Sequence, residues 1–355
     1  MLEQRKKILV APLDWGLGHA TRCIPIIRQL LNRDCEVFIA SSGRALTLLQ
    51  KEFPQLMSFE LKPYDPQYPD GGSMVFKMAF QLPKFMRAIS KEQKEVEKIV
   101  AKEEIDLVIS DNRYGCFSKK IKSIIITHQL NLQMPRWWKW TQPMVNSYNH
   151  KKLKQFAEVW VPAPEHSIIP VLTKSNPDLK LRYLGYLSRF EKKNLPTQYQ
   201  VCAICSGPEP QRSIFEKMIT RELKQSNLTA IVVRGKTEVL NKQYNKNQRV
   251  TIANYMTGEE LNDVVEQSET IIARSGYSTV MDLAKLNKKA VFIPTPGQTE
   301  QELIAAELMK QKMAYSGKQS KFNLKSALEE SQKFSGFLNF DFDNSLLSKA
   351  IDAVL

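Results

Sequence analysis

The sequence predicts an α/β protein built from two Rossmann-like, doubly wound domains that face a central cleft. Short apolar runs alternate with longer helical patterns along the chain, which indicates parallel sheets. The 355 residues also exceed the roughly 250–300 at which a single hydrophobic core stops growing. We therefore expect one domain over residues 1–184, a linker over 185–198 and a second domain over 199–355, whose last helix could pack back on the first domain.

Each predicted strand is an apolar run that ends in a polar turn. In the first half these runs are Lys7–Ala11, Glu36–Ala40, Asp106–Ser110 and Ser123–Thr127, with helices beginning near His19, Gly43 and Ser73. After the polar stretch Gly185–Gln198, the predicted strands are Gln200–Cys205, Thr229–Arg234, Glu269–Ala273 and Ala290–Pro294, followed by helices at Glu300–Lys312, Asn323–Lys333 and Asn344–Val354. Ligands of such sheets bind outside the carboxyl ends of the strands, so the strand-to-helix loops should carry the functional residues.

Composition limits the class of protein. Hydrophobic residues make up 43% of the chain, as in globular proteins, and no stretch reaches the roughly 18 consecutive apolar residues of a membrane span. We expect a cytoplasmic protein whose five cysteines are reduced core thiols, because Cys202 and Cys205 lack a second pair for zinc. The net charge of +14 favours phosphorylated small molecules or anionic lipid as partners. Nucleic acid is not expected, because no nucleic-acid-binding motif is present.

The first strand-to-helix loop, residues 14–22, contains the motif Gly16-Leu17-Gly18-His19. The two glycines let the backbone approach a ligand closely. A histidine at a helix start resists protonation, because the positive end of the helix dipole disfavours the imidazolium form. His19 should therefore be a neutral general base, with Gly16, Gly18 and Arg22 in the acceptor-binding loop. The alternative is a helix-capping loop with an incidental histidine.

A dinucleotide-binding site fits this loop poorly. Thr21 stands where the third glycine of the G-x-G-x-x-G fingerprint belongs. The second strand also ends in Ala40-Ser41-Ser42, whereas a dehydrogenase places an acidic residue there to bind the ribose hydroxyls. We therefore expect no bound NAD.

Two loops of the second half suit a phosphorylated ligand. After the strand that ends at Cys205, Gly207 and Arg212 frame a helix start, although Pro208 and Pro210 provide no N–H, and a proline-started helix is the alternative. The loop that follows Ala273 is richer in hydroxyls and small residues. Its candidate ligands for a diphosphate and ribose are Arg274, Ser275, Gly276, Ser278, Thr279 and Asp282.

The loop from Pro294 to Glu302 follows the next predicted strand. Its side chains include Gln298, Gln301 and Glu302, which are groups that hydrogen-bond sugar hydroxyls. The alternative is an acidic helix N-terminus, which the helix dipole by itself would favour.

The block from Ile271 to Ala306 resembles the donor-binding domain of glycosyltransferase family 28, and the Gly16–His19 loop resembles the first glycine loop of that family. The resemblance implies a GT-B fold and an inverting transfer from a UDP-sugar, without cofactor or metal. It implies that Asp282 binds the ribose, that Ser278 and Thr279 bind the diphosphate, that Gln301 and Glu302 bind the donor sugar, and that His19 is the base. Asp111 stands where related glycosyltransferases keep an aspartate that orients the histidine; a cap is its alternative.

The resemblance does not identify the acceptor substrate, because this sequence departs from the family at two places. Asp282 replaces the usual glutamate, and Ser206-Gly207-Pro208 replaces the second glycine loop. A UDP-sugar hydrolase could use the same histidine loop with water as the acceptor. A third alternative is a non-catalytic protein that binds nucleotide sugars at the inner face of the membrane. Two segments, 74–87 and 135–140, are apolar and basic, a composition that suits contact with anionic lipid. Such contact would fit an acceptor carried by lipid or envelope glycan. The alternative is that both segments form helices of the core.

A D-x-D sequence at Asp341-Phe342-Asp343 has the spacing of metal-dependent glycosyltransferases. It directly precedes a predicted terminal helix, where aspartate is a common N-cap. We interpret it as a cap and expect no metal site.

Overall fold

The computed structural model describes residues 5–64, 74–134, 136–173, 176–207, 209–236, 244–247, 249–337, 340 and 342–355. They form two compact units, one made mainly of residues up to Leu187 together with 342–355, and the other of residues from Ser188 onward. The division falls inside the predicted linker. No helix among the described residues is long and apolar enough to cross a membrane.

The first unit is built on a parallel sheet flanked by helices. Its strands are β1 (Lys7–Pro12), β2 (Glu36–Ser41), β3 (Ser58–Glu60), β4 (Leu107–Asp111), β5 (Lys122–Ile126), β6 (Glu158–Val161) and β7 (Leu181–Tyr183). Its helices are α1 (Gly18–Leu31), α2 (Gly43–Glu52), α3 (Met74–Glu103), α4 (Gln142–Leu153) and α5 (Pro170–Thr173), with a 3₁₀ helix at Arg136–Thr141. The strand order is β3-β2-β1-β4-β5-β6-β7.

This order places the switch point of the sheet between β1 and β4. From β1 the chain moves to β2 on one side, and it later returns to β4 on the other side. The two strands pair in parallel with Pro12 opposite Asp111. The loops that leave their carboxyl ends diverge to opposite faces of the sheet, which opens a crevice where ligands bind in such folds.

Alternate residues of β1 explain why its apolar run is continuous. Ile8 and Val10 belong to the core that packs against α1, whereas Leu9 and Ala11 belong to the core on the α3 side. A parallel strand with both faces buried needs apolar residues at every position. The same reason makes β4 and β5 recognisable in the sequence.

The second unit has a sheet of the same kind. Its strands are β8 (Tyr199–Ile204), β9 (Ala230–Val233), β10 (Tyr244–Asn247), β11 (Val250–Ala253), β12 (Ser268–Ala273), β13 (Lys289–Phe292) and β14 (Tyr315–Ser316). Its helices are α6 (Gln211–Gln225), α7 (Gly258–Glu266), α8 (Tyr277–Lys285), α9 (Thr299–Lys310) and α10 (Leu324–Ser331). The order is β10-β11-β9-β8-β12-β13-β14, so the switch point lies between β8 and β12.

The last helix, α11 (Asn344–Asp352), is part of the first unit. It contacts α1 and β7, and it buries Leu347, Ala350 and Ile351 in the core beside α1. The fold class predicted from the sequence is confirmed: both units are doubly wound α/β sheets, with β10 antiparallel to its neighbour. The predicted strands lie within two residues of the observed bounds, whereas β3, β6, β7, β10, β11 and β14 were not predicted.

Candidate active site

His19 lies in the first turn of α1, directly after the loop that leaves β1. The N-cap residue of α1 is Leu17, which has no side chain that could accept a hydrogen bond from the helix N-terminus. Gly16 has φ of +89°, a conformation that residues with a Cβ rarely adopt. A Cβ at Gly16 would meet no atom within 4 Å, so its conformation, not crowding, calls for glycine.

The same loop holds two buried polar atoms without a hydrogen-bond partner among the described residues. They are Oδ1 of Asp14 and Nε1 of Trp15. Buried polar atoms are normally paired, and an unpaired one calls for an explanation. Asp14 begins the loop of residues 14–22 and had no predicted role.

His19 and Asp111 form a hydrogen-bonded pair. The His19 Nδ1 lies 2.8 Å from Oδ1 of Asp111, whose side chain is completely buried. The sequence separates them by 92 residues, but the pairing of Pro12 with Asp111 brings the ends of β1 and β4 side by side. The His19 side chain keeps 16% of its surface exposed, so a substrate could reach its ring.

Asp111 remains ionised although it is buried. Burial opposes the charge of the carboxylate, but the guanidinium of Arg22 and the ring of His19 outweigh burial and hold the pKa of Asp111 well below its usual range. An ionised partner keeps the Nδ1 proton on His19 and leaves Nε2 as the proton acceptor. The geometry therefore suits a general base.

Arg22 differs from its prediction. The sequence analysis assigned it to the acceptor-binding loop, but its side chain is buried beneath that loop. Its Nε donates to Oδ2 of Asp111 at 2.7 Å, and one terminal nitrogen donates to Oδ1 of the same carboxylate. The reason is helical spacing, since residues three apart lie on one face and Arg22 follows His19 toward β4.

His128 was missed by the sequence analysis. It is buried two residues beyond β5, and its Nδ1 lies 2.8 Å from NH1 of Arg22. Its position after a buried strand, next to the strand that ends in Asp111, is the signal that could have found it.

In the second unit, the loop after β8 holds Gly207 and Arg212. Gly207 has φ of +108°, and a Cβ there would meet no atom within 4 Å. Arg212 is buried and donates to Glu209, to the carbonyl of Arg234 at 2.8 Å and to Glu216 at 3.5 Å. Because acidic partners already balance its charge, its predicted contact with a diphosphate stays a prediction.

Arg274, in the loop after β12, is also engaged by the protein. Its guanidinium donates to the carbonyls of Ile293, Pro294 and Gln211 and to the side chain of Gln319, at 2.6–3.1 Å. It also lies 4.4 Å from the ring centre of Phe215. Burial lowers its pKa to about 10. This residue joins three loops, and its predicted diphosphate contact would compete with these bonds.

The start of α8 keeps its predicted small and hydroxylated residues. Gly276 is the N-cap, and Ser278 and Thr279 are half-buried in the first turn. Ser275 is fully buried, and its hydroxyl donates to the carbonyl of Gln301 at 2.7 Å. Ser275 therefore ties the two predicted donor loops together, while Ser278 and Thr279 lie where the helix dipole favours an anion.

Asp282 is buried one turn further along α8. Its Oδ1 accepts a hydrogen bond from Ser188 at 2.7 Å, and its Oδ2 lies 3.5 Å from Arg189. Burial raises its pKa, and the charge of Arg189 and the Ser188 hydrogen bond limit the rise. A ribose diol at this carboxylate would compete with Ser188.

The loop after β13 organises the start of α9. Gln298 is the N-cap residue. Oε1 of Gln301 accepts from the Thr295 N–H at 2.8 Å, and Oε1 of Glu302 accepts from the Gly297 N–H at 3.0 Å. These bonds are those of the helix-capping alternative, and the predicted contacts with a donor sugar stay predictions.

Several predictions concern metals and thiols. The five cysteines are free and buried. Within the described residues no group of three or more His, Cys, Asp or Glu side chains could hold a metal ion. Asp343 accepts a hydrogen bond from the Ser345 N–H at 2.8 Å, so its prediction as the cap of α11 is confirmed. Asp341 lies outside the described residues.

The comparisons with known proteins all point to glycosyltransferases. Residues 210–352 match the model of the glycosyltransferase family 28 C-terminal domain. A protein of Methanosarcina acetivorans, described as an uncharacterized glycosyltransferase, is 23% identical over 327 residues, covering 84% of this chain and 82% of that protein. Most of the second unit is therefore similar to the C-terminal domain of family 28 glycosyltransferases.

Two further likenesses concern this chain. One relative is a protein of Sulfurihydrogenibium sp. described as UDP-N-acetylglucosamine--N-acetylmuramyl-(pentapeptide) pyrophosphoryl-undecaprenol N-acetylglucosamine transferase. The two sequences are 22% identical over 176 residues, which cover 44% of this chain and 48% of that protein. The structure of this chain is similar to that of the calicheamicin glycosyltransferase CalG4, with a TM-score of 0.65 and 11% identity over 99% of this chain and 98% of that one. The fold is therefore GT-B.

Proposed function

We propose that the chain is an inverting, metal-independent hexosyltransferase that moves a sugar from a UDP-sugar to an acceptor hydroxyl. The observation that carries the proposal is the His19–Asp111 pair, with 2.8 Å between Nδ1 and Oδ1 and an exposed edge on the histidine. A neutral imidazole whose Nδ1–H is held by a buried carboxylate is a suitable general base. The comparisons support transfer over hydrolysis, because the relatives are described as transferases.

The chemistry needs one displacement. Nε2 of His19 takes the proton of the acceptor hydroxyl while that oxygen forms a bond to the anomeric carbon of the donor. The bond from this carbon to the diphosphate oxygen breaks on the opposite face, and UDP leaves with the electron pair, which inverts the centre. The unpaired Oδ1 of Asp14 lies in the same loop as His19 and suits a second hydroxyl of the acceptor.

The donor belongs to the second unit in this proposal. The first turn of α8, with Ser278 and Thr279, offers N–H and hydroxyl groups to the diphosphate, where negative charge grows as the bond breaks. Asp282 binds the ribose, and the loop that contains Gln298, Gln301 and Glu302 contacts the sugar. The choice of UDP rests on the resemblance and on the name of the Sulfurihydrogenibium relative.

Thermal shifts with UDP, GDP, dTDP and NAD, compared between wild type and His19→Ala, test donor and base together. A ligand at 100 times its Kd adds about 2.7 kcal/mol to stability, so UDP should raise the Tm of both proteins. Turnover of a UDP-sugar with an acceptor should fall roughly 10²–10⁴-fold in His19→Ala, the range for loss of a general base.

Each part of this experiment can fail separately. A shift with NAD instead of UDP would contradict the donor assignment. Unchanged turnover in His19→Ala would remove His19 from the mechanism. Full release of free sugar without an acceptor would show a hydrolase.

We also propose that the acceptor is presented at an anionic membrane surface. An apolar stripe runs along the 3₁₀ helix at Arg136–Thr141 and α4, formed by Trp137, Trp140, Met144 and Tyr148. Their spacings of three, four and four residues place them on one helical face. Trp137, Trp140 and Met144 are 88%, 76% and 70% exposed, far more than such side chains usually are in water.

The charge around this stripe complements anionic lipid. Between Asn112 and Ala157 the sequence contains nine lysines and arginines and no aspartate or glutamate. Lys139 and Lys151 are exposed on the same two helices as the stripe. Tryptophan favours the membrane interface, and each nearby cation adds about 1 kcal/mol of attraction to an anionic surface. The predicted segment 74–80 has no described side chains, and Pro135 lies outside the described residues.

Vesicle flotation tests this surface with a Trp137→Ser/Trp140→Ser variant. Wild type should float with vesicles that contain about one third phosphatidylglycerol and stay in solution with pure phosphatidylcholine. The double variant should bind the anionic vesicles roughly tenfold more weakly, a loss of about 1.4 kcal/mol. Met57→Ser, which changes another exposed apolar residue of the same unit, is the control and should bind like wild type. Equal flotation of wild type and double variant would exclude the stripe.

A further inference from the structure

The His19–Asp111 pair is half of a larger buried cluster. Arg22 places its Nε and one terminal nitrogen on the two oxygens of Asp111, while its NH1 lies 2.8 Å from Nδ1 of His128. The nitrogen that bonds Oδ1 also lies 3.1 Å from Nδ1 of His19. The four side chains come from α1, from the end of β4 and from the segment after β5, and neither Arg22 nor His128 has a place in the displacement.

The donors and acceptors in this cluster determine where the ring protons lie. A guanidinium has N–H donors and no acceptor, so the Nδ1 of His128 that faces it must be unprotonated, and the proton of a neutral His128 must be on Nε2. On His19 the nearest neighbour of Nδ1 is a carboxylate oxygen of Asp111 at 2.8 Å, which only accepts, whereas the guanidinium nitrogen is further away at 3.1 Å. The Asp111 contact therefore places the proton of His19 on Nδ1. The two histidines therefore need opposite tautomers.

The charges in the cluster act on His19 in opposite directions. The Asp111 carboxylate favours a second proton on His19, whereas the Arg22 guanidinium opposes it. His128, which must be neutral to accept from Arg22, adds no charge. The thiol of Cys23 also contacts the cluster, since its Sγ lies 3.8 Å from Oδ2 of Asp111. Burial raises its pKa well above its usual range, so it stays neutral.

We propose that Arg22 and His128 are positioning residues for the base. His128 holds the guanidinium of Arg22 in place, and Arg22 then fixes both oxygens of Asp111 and limits protonation of His19. The role in turnover rests on the proposed function of His19. The tautomers do not, because they follow from the contacts of the folded protein alone.

Nitrogen-15 NMR of the histidine rings tests the tautomers without substrate. The chain has four histidines, His19, His128, His150 and His166, so the spectrum is simple to assign. His150 is an internal reference: its Nε2 lies 2.9 Å from the carbonyl of Leu130 and its Nδ1 lies 2.9 Å from the amide nitrogen of Asn176, which demands an Nε2–H tautomer. We expect His128 to match His150, and His19 to carry its proton on Nδ1.

Two outcomes would overturn the assignment. One is His19 and His128 in the same tautomer; the other is His128 doubly protonated in the folded protein at pH 6–7. Neither outcome depends on whether the protein transfers sugar, so failure here differs from failure of the proposed function.

Variants of His128 and Arg22 test the positioning role. His128→Asn keeps an acceptor near the place of Nδ1 and should retain turnover, whereas His128→Leu should lose it roughly tenfold, with the KM for the donor unchanged. Arg22→Gln removes the charge that opposes a second proton on His19, and should move the acid limb of the kcat/KM profile about one pH unit upward, a tenfold change in proton affinity.

A purely structural role gives a different pattern. Turnover would then fall in proportion to the folded fraction, with no change in the pH profile and no rescue by asparagine. If no turnover can be measured at all, the same upward shift is expected in the NMR titration of His19 in folded Arg22→Gln. Absence of that shift, with Tm near that of wild type, contradicts the proposal.

Discussion

Arg274 and Arg212 show that burial, not residue type, decides what a cation can do. Both stand in loops where a diphosphate is expected, and charge alone made them candidates. In the structure Arg274 donates to three carbonyls and a side-chain amide, and Arg212 is paired with two acidic residues. A buried guanidinium finds most of its hydrogen-bond partners within the protein, although Nε of both arginines has no partner among the described residues. The sequence does not reveal which carbonyls come within reach.

Glu158 in β6 provides a test at the scale of one residue. It accepts hydrogen bonds from Arg182 at 2.8 Å, Lys122 at 3.1 Å and the ring N–H of Trp160 at 3.2 Å. Burial opposes its charge, but the donors prevail and lower its pKa from 4.5 to about 2. A carboxyl group whose pKa falls on folding stabilises the protein at every pH above its pKa in the unfolded state. For Glu158 this contribution is lost as the pH decreases from about 4.5 toward 2.

Glu158→Gln should therefore reduce the free energy of unfolding by about 2 kcal/mol at pH 7. Hydrogen bonds to a charged group typically contribute an energy of this size. The difference from wild type should be smaller at pH 3. Urea unfolding at the two pH values measures it, with Glu60→Gln on the exposed edge as the control. An equal loss at both pH values would show that packing, and not charge, is responsible.

At the scale of elements, the helices differ in how their N-termini are satisfied. Thr257 and Glu260 form a capping box at α7, and Asn323 caps α10. The N-cap residues of α1 and α8, Leu17 and Gly276, have no side chain that could cap. These two helices follow β1 and β12, the strands at the switch points, where a ligand can satisfy the helix N-terminus instead.

Length and burial explain why two strands of the first unit, β3 and β7, could not be predicted from the sequence. The predicted β1, β2, β4 and β5 have five or six residues, most of them buried. The short strands β3 and β7 have three residues each and are half-buried or exposed. Three residues carry no detectable periodicity, so β3 and β7 exist because a neighbouring strand supplies their hydrogen bonds.

At the scale of the whole molecule, α11 makes the two chain ends depend on each other. Ile351 is completely buried in the core beside α1. We expect Ile351→Ala to cost about 2–5 kcal/mol, as large-to-small changes in a core do. Thermal unfolding measures the loss, and Ile214→Ala, at a position that is 42% exposed, is the matched control.

The same variant tests how independent the two units are. The proposed UDP site lies in the second unit, whereas Ile351 stabilises the first. The UDP-induced rise in Tm should therefore persist for the second unit in Ile351→Ala. A single unfolding transition that UDP raises as a whole would mean that the units unfold as one cooperative structure.

The sequence by itself determined the fold class and the loops to examine. Continuous apolar runs mark strands buried on both faces, and the glycine-containing turns after them mark the sites of ligand approach. His19, Ser278 and Thr279 could be proposed because each belongs to one short, local pattern. Asp111 needed the resemblance to related enzymes.

The tertiary structure decided which side chains meet. It buried Arg22 under His19 and joined it to Asp111, and it added His128 to the same cluster. It also assigned Gln301 and Glu302 to bonds within their own loop. The physical reason is distance along the chain: His19, Asp111 and His128 are brought together by strand order, which sets hydrogen-bond partners that no local pattern encodes.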